Sequence, residues 1–141
     1  MGKNLIFIGV IILTLFTAGC SANSGASDSN TERPGYSIIE KADLNDPILE
    51  EWYEKSYKEF GYHFTSDDEG NRYLVISAGE RPTGGYGLVL NSVVEGTDKV
   101  TFVAELKYPQ KGQMVTQVLT YPHLLIKANF GDKEIDADIS N

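Results

Sequence analysis

The sequence predicts a mainly β, α+β fold: one N-terminal helix, then an antiparallel sandwich or open barrel of five or six strands. Three observations carry this expectation. One stretch, Asn45 to Gly61, places apolar residues at helical spacing. From Tyr73 onward the period changes to two, with turn-forming residues between the runs. Before Gly35 there is an apolar leader and a polar stretch with nothing to contribute to a core.

The leader comes first. Lys3 precedes an apolar run from Leu5 to Phe16, and Thr17, Ala18, Gly19 and Cys20 follow. A basic start, a short apolar run and a small-residue cleavage site make a signal peptide. The run is shorter than the ~20 residues that span a bilayer. Ending in cysteine, the site resembles the bacterial lipobox, although Thr17 stands where that pattern prefers Leu. The resemblance implies cleavage after residue 19, lipidation of Cys20 and anchoring on the outer face of a bacterial cell membrane. The alternative is an ordinary secretory leader that happens to end in cysteine. Ser21 to Pro34 reads SANSGASDSNTERP, without an aromatic or a large aliphatic residue. It is expected to be a flexible tether spanning roughly 20 Å. The organisation expected is therefore a signal peptide at 1–19, a lipidated tether at 20–35 and a single β-rich domain at 36–141.

Tyr36 to Glu40 is a short β-prone piece. The helix opens with Asn45 or Asp46 as cap and Pro47 at its first position. Glu50 and Glu51 lie early and Lys55 and Lys58 late, as the helix dipole favours. Leu49, Trp52, Tyr53, Ser56 and Phe60 share a face, and Gly61 can end the helix. Trp52 on that face reads as core. Tyr73 to Ser77 is a continuous apolar run suited to a buried strand. Tyr86 to Val94 is a second strand, Glu95 to Asp98 a turn, and Val100 to Lys107 the cleanest alternating strand. Pro109 and Gly112 break the pattern. Met114 to Tyr121 and His123 to Ala128 read as two strands separated by Pro122, which lacks a ladder donor and marks an edge, bend or bulge. Phe130 to Ile139 is expected to add a last hairpin strand.

Composition narrows the function. The chain has 141 residues and a formal net charge of −8, and loss of Lys3 makes the remainder one unit more negative. Such a surface repels nucleic-acid phosphate and anionic headgroups, so nucleic acid is not an expected partner. Any membrane contact falls to lipid, for which two or three chains hold stably. With Cys20 the only cysteine, no disulfide is available and packing must hold the fold.

Catalytic constellations are scarce. The thiol is assigned to lipid, and no G-x-S-x-G elbow or phosphate-binding loop occurs. His63 and His123 lie far apart and make a weak zinc case. Asp67, Asp68, Glu69 and Asn71 offer oxygen ligands for calcium but lack the alternating spacing of an EF-hand, so the segment reads as a solvated hairpin turn. No enzyme activity, cofactor or metal is expected.

The run Gly79 to Gly87, GERPTGGYG, lies between two strand signals. One reading is a tight hairpin turn, with Gly84 and Gly85 at its centre and Tyr86 packing inward. The other is a rigid presented loop, in which Pro82 lowers the entropy cost of binding and Arg81 and Thr83 offer donors outward.

These residues carry a resemblance. Gly79-Glu80-Arg81-Pro82-Thr83-Gly84-Gly85-Tyr86, followed by Gln117-Val118-Leu119-Thr120-Tyr121-Pro122, resembles the C-terminal region of the protease complex subunit PrcB family. The likeness covers about Arg72 to Ala128. It implies a non-catalytic protein that binds a partner, stabilising a secreted or surface protease, and it supplies no catalytic residue. The partner-binding loop would be Arg81, Pro82, Thr83, Gly84, Gly85 and Tyr86, with Tyr121 and Pro122 as a second contact. A more limited likeness is to chagasin-type protease inhibitors, small sandwiches with an N-P-T-T-G-Y loop. Pro82, Thr83, Gly85 and Tyr86 match it, while Arg81 and Gly84 depart. That likeness implies protease inhibition through loop 81–86.

Overall fold

The computed structural model describes residues 35–140; the leader, Cys20 and nearly all of the tether region lie outside them. The described chain is mainly β, with seven strands in two sheets and one α-helix. Strands β1 (Tyr36–Ile39), β2 (Gly61–Ser66), β3 (Arg72–Ser77) and β6 (His123–Ala128) form a sheet in the order β1-β6-β3-β2. Strands β4 (Gly87–Glu95), β5 (Lys99–Lys107) and β7 (Glu134–Ser140) form the other, in the order β4-β5-β7.

Helix α1 (Pro47–Ser56) begins as its sequence dictates. The Asp46 carboxylate accepts from the Ile48 amide at 2.8 Å, and Pro47 takes the first position, where its missing N–H costs nothing. It ends at Ser56, short of Gly61, whose φ of +115° instead starts β2. Phe60 is therefore exposed rather than on the helix face. Leu49 and Tyr53 pack with Tyr73 and Val75 of β3 and Leu125 of β6, and Trp52 adds to this cluster half-buried. The opposite face of the same sheet sends Leu74, Ile76 and Ile126 onto Leu88, Val100, Phe102, Ala104 and Ile135 of the second sheet. Strand β3 is thus covered on both faces. That is why its sequence is a continuous apolar run while β5 alternates.

Four sequence expectations need correction. There is one strand more than the upper expectation: β2 pairs with β3, and its alternation is masked because Tyr62 and Phe64 face outward at a sheet edge. The segment Met114 to Tyr121 is not a regular strand; only Thr120 makes an isolated bridge. The strands are not all antiparallel, because β5 and β7 run parallel. The cause is topological: β6 lies between them in sequence but belongs to the opposite sheet, so the chain returns to the second sheet in its former direction. For the same reason β7 is not the hairpin partner of β6.

The Asp67–Asn71 segment is the β2–β3 turn. The Asp67 carboxylate accepts from the amides of Glu69 (3.0 Å) and Asn71 (2.8 Å), the Asn71 side-chain amide (2.7 Å) and the Tyr73 hydroxyl (3.1 Å). Burial pushes this carboxyl up, but the bonds from Asn71, Tyr73 and Glu69 outweigh that and hold it below the usual aspartate range. The turn commits the Asp67 carboxylate, one of the oxygen ligands that a calcium reading would use.

Phe102 is fully buried and sits edge-on to Tyr36 (5.6 Å) and Phe130 (6.1 Å). Phe102→Ala is expected to destabilise the fold by about 3–5 kcal/mol, read as a lowered midpoint in urea unfolding.

Candidate functional site

The loop 78–86 connects β3 to β4, strands in different sheets, so it is a crossover between layers rather than a hairpin turn. The loop 108–122 makes the return crossing from β5 to β6 at the same end of the sandwich. Loops of roughly fifteen residues without their own secondary structure are uncommon, and they are held by something or functional. This one is held by the other loop.

Hydrogen bonds fasten loop 78–86 to the second half of loop 108–122. The Ala78 amide donates to the Pro122 carbonyl at 2.9 Å. Arg81 and Thr120 exchange both bonds of an antiparallel bridge, at 2.8 and 3.0 Å. The Gly84 amide donates to the Thr116 carbonyl at 2.9 Å, and the Thr120 hydroxyl donates to the Thr83 carbonyl at 2.7 Å. Sequence reasoning singled out both segments but gave no reason for them to meet.

Glycines permit this contact. Gly85 has a φ of +83°, and a Cβ there would lie 2.7 Å from Val115 Cγ1 and 2.9 Å from Pro109 Cβ. Gly84 is buried, and a Cβ there would meet Thr116 Oγ1 at 2.4 Å, a rotatable side-chain atom. The Pro82 ring is exposed, while Arg81, Thr83 and Tyr86 are half-buried. Tyr86 leans on Tyr108, with ring centroids 5.7 Å apart. The Arg81 guanidinium lies over the Tyr86 ring at 5.9 Å. Its Nε–H is shielded and has no acceptor among the described residues.

The second expected contact, Tyr121-Pro122, joins this unit to the helix. The Tyr121 hydroxyl donates to the Glu80 carboxylate at 2.8 Å, which raises the tyrosine's pKa and keeps it a donor. Pro122 is buried. The Tyr121 carbonyl faces His123 Nδ1 at 2.6 Å. A carbonyl only accepts, so Nδ1 carries the proton and Nε2 accepts from the Tyr53 hydroxyl at 2.7 Å. Burial raises the pKa of Tyr53 and so keeps its hydroxyl protonated to donate. Tyr57 stacks against Tyr53 (5.1 Å), lies tilted against His123 (5.0 Å) and meets Tyr121 edge-on at 5.8 Å. Tyr53, Tyr57 and His123 were not assigned to a site by sequence reading. Tyr53 read as core, and the spacing of 70 residues between Tyr53 and His123 gave no signal.

Ser77 pairs across the sheet with His123, yet its hydroxyl donates to the Tyr57 carbonyl at 2.6 Å and accepts from the Gly79 amide at 3.0 Å. Serine and histidine therefore do not form a nucleophile–base pair. Among the described residues no group of three His, Cys, Asp or Glu side chains is disposed to hold a metal, and no helix is long and apolar enough to cross a membrane.

The zipped pair of crossover loops falls inside one recognisable segment. Residues 72–129 match the PrcB C-terminal family. The match runs from β3 through β6 and contains both loops in full. No curated protein and no solved structure matches the chain.

Two substitutions separate backbone strain from crowding in this unit. Gly85→Ala is expected to cost about 2 kcal/mol or more, because it adds left-handed strain to contacts with Val115 and Pro109. Gly84→Ala is expected to cost less, since Thr116 can rotate away. Chemical denaturation of the two variants checks the order.

Proposed function

We propose that this protein is a non-catalytic, extracytoplasmic lipoprotein subunit that binds a partner protein, a secreted or surface protease, through the zipped loops around Arg81–Tyr86. In this reading Cys20 is the lipidated first residue after cleavage. The following residues tether a domain at 36–141 to the outer face of a bacterial cell membrane. The carrying observation is the loop pair itself. An exposed Pro82 and a half-buried Arg81 and Thr83 are presented on backbone bridged to Thr116 and Thr120. Such a surface is ordered before it binds, so little entropy is lost on association. The family match supports the protease as partner. Tyr121 and Pro122 support the loop from beneath, with Tyr121 held by Glu80.

A chagasin-like inhibitor would use the same loop as a wedge in a protease cleft. That reading draws less support, because Thr83 and Gly84 are fastened to the neighbouring loop instead of standing free.

The test is purification of the tagged full chain from membranes of the cells that make it. A protease should co-purify, and Arg81→Ala combined with Thr83→Ala should cut its recovery about tenfold or more. Undiminished recovery with the double variant would make the loop purely structural. Inhibition of the recovered protease by the purified chain would favour the wedge instead.

A further inference from the structure

The two ends of the sandwich differ in charge. Register places Tyr36 beside Ala128 and Ala128 beside Arg72, so the chain enters the described fold at the end opposite loops 78–86 and 108–122. Strand β6 separates these ends by about 17 Å. At the entry end lie Asp67, Asp68, Glu69, Asp98, Asp132 and Glu134, in or beside the β2–β3, β4–β5 and β6–β7 connections. At the loop end the return crossing 108–122 holds no Asp or Glu, in a chain with 20 acidic residues, and Glu59 lies in the α1–β2 connection, which reaches the same end where Gly61 pairs with Ser77. The acid within loop 78–86 is Glu80, which accepts from the Tyr121 hydroxyl.

The loop end carries cations and exposed apolar side chains. Lys107 pairs with Glu105. Arg81 makes no side-chain hydrogen bond or ion pair among the described residues; its guanidinium is steadied only by the Tyr86 ring. Met114 is 98 % exposed, Val118 56 % and Leu119 58 %. Single exposed apolar residues are ordinary, but Met114, Val118 and Leu119 share with Tyr108 the one loop that bridges to Arg81, and such a cluster suits a contact surface. Arginine is also the cation best suited to a desolvated carboxylate, which it can grip at two oxygens. A polyanion is disfavoured by the net charge of −8.

We propose that the loop end docks a protein segment presenting a carboxylate flanked by apolar side chains, with Arg81 taking the carboxylate and Met114, Val118 and Leu119 the apolar groups. The inference rests on the partner-binding reading above and names the chemistry of the partner. It also uses the position of the chain entry: a tether joined at that end leaves the loop end facing away from the attachment.

The test uses the full chain in detergent micelles and, as probe, a phage-displayed library of random short peptides. Selected sequences should be enriched in Asp or Glu beside Leu, Ile, Met or Phe. The acidic enrichment should fall at least tenfold in selections on Arg81→Gln, which leaves the backbone bridge to Thr120 in place. Met114→Ser with Leu119→Ser should remove the apolar enrichment, and Asp68→Asn, at the other end, should change neither. An absent acidic preference, or one that survives Arg81→Gln, overturns the carboxylate assignment. If apolar peptides are then still lost with Met114→Ser and Leu119→Ser, docking at this end stands without it. Selections that yield no enrichment, or enrichment indifferent to every variant, overturn both.

Discussion

The backbone bridge between Arg81 and Thr120 holds the two crossover loops of this molecule together. Each of its bonds is worth only about 1 kcal/mol net. Its importance lies in what it joins. Loop 78–86 leaves one sheet for the other, and loop 108–122 comes back. Unjoined, two crossovers of this length would have to be ordered separately, each against its own conformational entropy. Joined by the bridge, and by Ala78–Pro122 and Gly84–Thr116 on either side, they order as one body.

That body rests on the helical layer. Tyr57, just past the end of α1, contributes its carbonyl to Ser77 and its ring to Tyr121 and His123. Tyr53, one turn earlier, fixes His123 from the other side. The helix therefore covers the outer face of a sheet and also braces the base of the loop pair. Rigidity below and uncommitted side chains above give the loop end its character. Its backbone is pinned at Ala78, Arg81, Gly84, Thr116, Thr120 and Pro122, whereas the side chains of Met114, Val118 and Leu119 are exposed and Arg81 touches the Tyr86 ring.

Much of this was legible in the sequence. The helix start could be read because Asp46 and Pro47 act within one turn. The strands β3 and β5 could be read because burial on two faces or one leaves different periodicities. What escaped depended on distant partners. The β2 strand was hidden by its outward aromatic residues, and the parallel pairing of β7 depends on which sheet β6 joins. Gly84 and Gly85 fit a tight turn locally; their actual role, making room for Thr116, Val115 and Pro109, involves residues from a different loop. A signal for the loop end did exist. The run without acids from Leu106 through Gly131 stands out in so acidic a chain, and it marks the return crossing that carries Met114, Val118 and Leu119.

The most direct measurement is residue-resolved amide hydrogen exchange on the full chain. If the loops are one body, the amides of Ala78, Arg81, Gly84 and Thr120 exchange slowly, with protection approaching that of Val75 in β3, while Gly112 in the open part of the loop exchanges fast. Exchange of Arg81 and Thr120 at the rate of Gly112 would mean the bridge is transient, and would contradict a preformed binding surface.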